Sequence, residues 1–294
     1  YYTIEKDENW WGNALPEEDR HPFAAGNVDK CTYQIITDAS QMAIALETGI
    51  IDIANYVTAS EIGSFMNSDG SAKDGYMVAA KSTNPSYFLD FNAYETSICK
   101  DEKVRQAICW AVDNQELVDI VLEGNGEASV TFGGMMYSGV SDAMKDAAKE
   151  NYYGVDYEKA KALLAEAGYP DGIDITLMVN SDATMGKATQ IIQSQLARAG
   201  INATLVTYDS ALFDSYKLDP TVGWDVYLSV RGNSSGYVQA IWNGVGSVTG
   251  TSYGNFSFVE DQEFAEGVGF LMTQEGATDE NVLKFYNEQF VPKA

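Results

Sequence analysis

The stretch from Asp156 to Tyr208 constrains the fold more than any other part of the chain. Behind Asp156, Ala160, Leu163, Leu164 and Ala167 recur at the helical period, and Gly168 stops the run. Tyr169-Pro170-Asp171-Gly172 is turn chemistry, and Ile173–Val179 alternates as a half-buried strand does. A second helical stripe follows (Ala188, Ile191, Ile192, Gln195, Leu196, Ala199), closed by Gly200, and Ile201–Tyr208 is again strand-like. Parallel neighbours need a crossover too long for a hairpin, so helix, strand, helix, strand predicts a parallel sheet with helices on its faces. The class is α/β.

Other elements fit around that unit. Asp101 predicts a helix start, with Val104, Ala107, Ile108, Ala111 and Val112 on one face. Asp113 predicts the cap of the next helix, which carries Leu117, Val118 and Val121 and ends at Gly124. Strands are expected at 30–36, 50–56, 77–80, 87–91 and 225–230, and in the aromatic start Tyr1–Trp11. Asp38 or Ser40 caps a helix through Met42, Ile44, Ala45 and Leu46 to Gly49, and a short helix is expected over 60–67. Residues 125–140 are glycine-rich and read as a loop; the tail from Val259 reads as helical, with Phe264, Val268 and Leu271 on one stripe. At 294 residues the chain has room for about two domains.

Charge narrows the function. Against 43 Asp and Glu stand 18 Lys and Arg, a net charge of −25. A phosphate backbone needs a concentrated cationic face, so nucleic-acid binding is not expected, nor is docking on an anionic membrane. The one histidine, His21, sits in a polar loop beside Pro22, which leaves no ligand set for zinc or di-iron and no base for a Ser-His or Cys-His mechanism. Gly124-Asn125-Gly126 follows a helix rather than a strand and does not form a phosphate loop. A pair of carboxylates for glycoside hydrolysis stays open as an alternative, although most acids are read as solvated surface. No cofactor, metal or catalytic residue is expected. The three cysteines lack metal-site spacing; a local Cys99–Cys109 disulfide and free structural thiols both stay open, the latter favoured. No apolar run approaches the roughly eighteen residues of a membrane span. Tyr1–Trp11 has neither the basic nor the apolar region of a signal peptide, which suits a cytosolic chain or the mature or excised part of an exported one.

Six stretches, in one order, resemble a known family. They are Asn9-Trp10-Trp11-Gly12; Thr37–Ser40 running through Leu46-Glu47-Thr48-Gly49-Ile50-Ile51-Asp52-Ile53-Ala54; Phe88-Leu89-Asp90-Phe91-Asn92; Asp101–Ala107 with Ala111-Val112-Asp113; Lys159–Gly172; and Gln195-Leu196 with Gly200-Ile201. Together they are similar to the extracytoplasmic solute-binding proteins of bacterial ABC importers, in the large peptide- and nickel-binding family. The resemblance implies a type II periplasmic-binding-protein fold: two lobes, each a mixed sheet with flanking helices, that hinge shut on a solute. Members of that family are larger, so the chain is expected to be partial, with 1–93 a remnant of lobe one and 94–294 most of lobe two. An export and lipid-anchor segment would then lie upstream, and the protein would be extracytoplasmic, in the periplasm or as a cell-surface lipoprotein.

Such a subunit is expected to capture an oligopeptide or similar small solute, to deliver it to the membrane permease, and to act as a monomer. The alternatives are an exported acidic hydrolase, or a sensor or adhesin using the same fold. In peptide-binding relatives, a strand like Asp225–Leu228 leads to a Trp and, three residues on, to an acid that pairs with the peptide amino terminus; here Arg231 and Ser234 stand there. A serine cannot balance a buried ammonium, whereas a guanidinium suits a carboxylate bidentately. Candidate ligand-binding residues are therefore Arg231, Asn233, Ser234, Tyr237 and Trp242, on a loop at the carboxyl end of a strand, where α/β sheets bind ligands. Their bland counterparts are a surface ion pair for Arg231, turn chemistry for the polar residues and ordinary core for the aromatics. Asn92, at the crossover, is a further candidate, with hinge geometry as its alternative. Met135 and Met136 read as core before cleft.

Overall fold

The computed structural model describes residues 1–16, 19, 28–55, 57–79, 85–129, 140–150, 154–232, 238 and 255–290. The chain divides into two units, Tyr1–Ala80 and Lys81–Ala294.

In the first unit, β1 (Tyr2–Glu5) pairs antiparallel with β2 (Lys30–Tyr33), Tyr2 opposite Tyr33 and Glu5 opposite Lys30. Every residue of both strands is exposed. Helix α1 (Ala39–Glu47) starts on Asp38, whose carboxylate accepts from Gln41 N at 2.8 Å, so of the two expected caps Asp38 is the one used. A short α2 (Ala59–Ile62) follows, and Ala43, Ala45 and Phe65 are the buried hydrophobic side chains among the described residues of the unit. The strands expected at 50–56 and 77–80 are not formed by the described residues there. Ile50, Ile53 and Met77 are 66, 79 and 92% exposed, and the N–H groups of Ile50 and Ile51 close the end of α1 on the Ala45 carbonyl. β-branched sequence without a pairing edge does not make a strand.

The second unit is built on a four-stranded sheet of order β3-β6-β4-β5: β3 (Pro85–Phe91), β4 (Ile173–Asn180), β5 (Ile201–Tyr208) and β6 (Val226–Gly232). β4 runs parallel to β5 and β6, and β3 is antiparallel to β6, so the sheet is mixed. Helices α3 (Glu102–Ala111), α4 (Asn114–Val121), α6 (Tyr157–Glu166) and α7 (Ala183–Arg198) give the unit its main helical layer. All five apolar positions foreseen at α3 are buried, and with Leu164, Leu177, Ile192 and Leu228 they belong to the largest apolar core. Gln195, on the apolar stripe of α7, is fully buried because α4 satisfies it. Its Oε1 accepts from Asp113 N at 3.1 Å, and its Nε2 donates to Glu116 Oε2 at 2.7 Å.

Aspartates open these helices. Asp101, Asp113, Asp156 and Asp182 each accept from backbone N–H groups of the first turn, as do Asp209 for α8 (Ser210–Tyr216) and Asp261 for α9 (Gln262–Leu271). Each cap contributes about 1 kcal/mol, so part of the acid excess is architectural. Gly172 and Gly200 start β4 and β5 side by side with φ of 95° and 80°; a Cβ on Gly172 would lie 2.3 Å from the Gly200 carbonyl oxygen.

Two further cores complete the unit. Met144 and Ala148 of α5 (Asp142–Glu150) pack with Phe264 and Val268 of α9 and with Val282 and Phe285 of α10 (Asp279–Phe285). On the sheet face away from the main core, Met178, Phe213, Trp224 and Tyr227 cluster, with Trp224 edge-on to Tyr227 at 4.9 Å.

Candidate functional site

Because β4, β5 and β6 are parallel, their carboxyl ends (Asn180, Tyr208 and Arg231-Gly232) lie on one edge of the sheet. The amino end of antiparallel β3 joins them, Ser86 opposite Arg231 and Tyr87 opposite Val230. Backbone pairing thus carries β6 to Gly232, at the edge where the sequence placed its candidate loop. Asn233, Ser234, Tyr237 and Trp242, with Met135 and Met136, lie outside the described residues, as does His21.

The described part of that edge is polar and acidic. Asp182 and Asp209 cap α7 and α8 directly after β4 and β5. Asn180 Oδ1 accepts from Asp182 N at 3.0 Å, and Tyr208 meets Tyr216 edge-on at 4.9 Å. Tyr87 and Val230 form a half-exposed cross-strand pair. Burial first, and then the Asp182 carboxylate, hold the Tyr87 phenol above its ordinary pKa. The groups available here hydrogen-bond, stack and set charge. Among the described residues no three His, Cys, Asp or Glu side chains are grouped to hold a metal ion. Cys31, Cys99 and Cys109 are free thiols.

Asn92 sits at the other end of the sheet. It follows Phe91, which pairs with Val226, whereas Arg231 pairs with Ser86, about 20 Å away at strand rise. The structure therefore does not bring these two candidates together. The Asn92 side chain is buried and committed to backbone: Nδ2 donates to the carbonyls of Pro220 and Trp224, both at 2.9 Å, and Oδ1 accepts from Tyr94 N at 3.1 Å. Its own N–H donates to the Asp225 carbonyl. Asp225 continues the join, taking the Ser97 hydroxyl at 2.6 Å and Thr176 N at 2.8 Å. Together they buckle the segment after β3 to the start of β6, which fixes where β6 and the loop beyond it emerge.

Two residues of this arrangement escape a reading by sequence alone. Asp225 was visible only as the start of a strand, since its partners lie 49 and 128 residues away. Asp90, buried on β3 and accepting from the Ser229 hydroxyl of β6 at 2.6 Å, left only the trace of an acid inside the apolar run Phe88–Phe91.

Comparison with known proteins agrees with this fold. Heme-binding protein A of Haemophilus influenzae is 26% identical over 69% of the chain and 34% of its own length. A glutathione-binding protein of Salmonella paratyphi A is 27% identical, over 71% of the chain and 37% of its own. The periplasmic binding protein DppA of Helicobacter pylori, solved with the peptide STSA, superposes with a TM-score of 0.77 at 20% identity, covering 99% of this chain and 52% of that one. The chain thus spans about a third to a half of the length of these relatives. The sequence profile described as bacterial extracellular solute-binding proteins, family 5, middle part, matches residues 1–255, and the chain belongs to that family.

Proposed function

We propose that the chain is part of the solute-binding subunit of an ABC importer, which takes an oligopeptide or similar small solute outside the cytoplasm and hands it to a membrane permease. Residues 1–93 would be the remnant of lobe one and 94–294 most of lobe two, with β3, the strand at that border, already paired into the sheet of the second unit; the subunit would act as a monomer tethered by a lipid anchor. The observation that supports the reading is the carboxyl edge of the parallel strands β4, β5 and β6, where β6 ends at Gly232. Arg231, Asn233, Ser234, Tyr237 and Trp242 are the proposed anchors, and Asn92 serves them from the far end of the sheet by holding the start of β6. With Ser234 where peptide-binding relatives have an acid, the anchor suits an anionic group of the solute, such as a peptide carboxylate. Binding comes from burial with a few polar contacts, not from bond chemistry.

Tryptophan fluorescence tests this. The whole protein is titrated with the peptide STSA, its carboxamide and glutathione, and the mixtures are then assayed for products. Saturable quenching without turnover is expected, weakened at least about tenfold by Arg231→Gln or by amidation, the loss of one bidentate charged contact. Product formation would replace the reading with a hydrolase.

A further inference from the structure

The turn that closes α4 has no part in solute binding as proposed above, yet it carries a reactive pair, Asn125-Gly126. The helix ends where Leu122 N and Gly124 N both donate to the Val118 carbonyl, with Glu123 and Gly124 at φ of 50° and 78°. The chain then folds back on itself. Asn125 N donates to the Leu122 carbonyl at 2.8 Å, and Asn125 Nδ2 donates to the same oxygen at 3.1 Å and to the Glu123 carbonyl at 3.4 Å. The Asn125 amide thus covers carbonyls at the negative end of the helix. Gly126 packs closely beside it: a Cβ there would lie 2.6 Å from Leu122 Cδ1.

The same geometry leaves the pair open to reaction within itself. Both residues are exposed, and among the described residues nothing accepts from the Gly126 N–H. The N–H groups that follow other asparagines are engaged. Ala93 N, after Asn92, donates to the Ser257 carbonyl; Gln115 N, after Asn114, donates to Asp113 Oδ1; Ser181 N, after Asn180, donates to the Tyr208 carbonyl. Each of these three residues also carries a Cβ, which narrows the backbone conformations open to it. A free N–H on a residue without a Cβ swings most readily onto the side chain before it.

We propose that Asn125-Gly126 is a self-modifying site of the folded chain, with water as its co-reactant. Gly126 N attacks Cγ of Asn125: the N–Cγ bond forms, the Cγ–Nδ2 bond breaks, and the Gly126 amide proton leaves with Nδ2 as ammonia. Water then opens the cyclic imide at one of its two carbonyls, which leaves aspartate or isoaspartate at position 125. Either product sets a carboxylate where a donor had been, against the Leu122 and Glu123 carbonyls. A negative charge at the negative end of a helix is disruptive. Isoaspartate also routes the backbone through Cβ, which moves Gly126 out of its seat on Leu122. The last turn of α4 opens in consequence, while its start, capped by Asp113, keeps its bonds.

The whole protein tests this in its folded state. It is held at mildly alkaline pH and sampled by peptide mass spectrometry, with isoaspartate separated from aspartate by chromatography. Position 125 is expected to convert at least about tenfold faster than Asn92, Asn114 or Asn180, where a backbone hydrogen bond has to break first. The product is expected to be a mixture of isoaspartate and aspartate. Gly126→Ala is expected to slow the conversion about tenfold, and its Cβ meets only the flexible end of Leu122. The converted protein is then separated by its added charge and compared with the unconverted form by amide hydrogen exchange. The N–H groups of Leu122 and Gly124 are expected to exchange faster, and that of Leu117, held by the Asp113 carbonyl, at an unchanged rate. Conversion at position 125 no faster than at the other three asparagines overturns the proposal. So does conversion to aspartate without isoaspartate, or equal exchange at Leu122 and Gly124 in the two forms. These readings are made on the wild-type chain, so they decide the matter even where Gly126→Ala does not fold.

Discussion

Two ladders in this molecule each have a complete register and rest on different physics. In β1–β2 the cross-strand partners are well matched: Tyr2 stacks on Tyr33 at 4.7 Å and Lys30 pairs with Glu5 at 2.8 Å, yet all eight residues face solvent. In β4–β5 the pairs facing the core are ordinary aliphatics, Ile173 opposite Ile201 and Leu177 opposite Leu205, but Leu177 and Ile201 are fully buried beneath α7. Local pairing is worth tenths of a kcal/mol for each contact, and burial several times that. A two-stranded ladder without a buried face is marginal. The lesson is that register can be specified in full where stability is not.

Chemical access should separate the two most. Cys31 lies exposed on β2, whereas burial first, and then the charge of Asp225, drive the Cys99 thiol far above its ordinary pKa. Iodoacetamide at pH 8 is expected to label Cys31 at least roughly a thousandfold faster than Cys99, which must wait for the main core to open. Comparable rates would mean the second unit is no more closed than the first. Core truncation comes next in size. Leu177→Ala should cost about 2–5 kcal/mol and Ile4→Ala about 0.5 or less, read from urea midpoints; similar costs would erase the contrast. The smallest effect belongs to the surface pair. Lys30→Gln should shift stability by less than about 1 kcal/mol, and less again in high salt, since both partners are well exposed. A larger shift would show that the ladder draws on its charges.

The same contrast explains what was legible in the sequence. The helices from Asp101, Asp113 and Asp156, and the strands on either side of α7, write their caps and apolar stripes in neighbouring residues, so local reading recovers them. Helices α5 and α8 were missed because their apolar positions form no long stripe; Met144 finds its core only through partners more than a hundred residues along the chain. The strand expected at Ile50–Tyr56 failed in the opposite sense: its composition suits a strand, but among the described residues no strand pairs with it. For the site, sequence supplied a strand end and the loop beyond it, and the structure places the strand end at the expected edge. The roles of Asn92 and Asp225 depend on contacts spanning 128 to 132 residues, which no local pattern encodes.

One detail of the sheet bears on when this polypeptide acquires its shape. β6 is the last of the four strands along the chain, yet it lies between β3 and β4. Until residues 226–232 have been synthesised, β3 has no neighbour to pair with and the buckle at Asn92 has nothing to fasten. Folding dominated by such distant pairings is slow. The sheet is therefore closed by its last strand, after the main helical layer of α3, α4, α6 and α7 has been made.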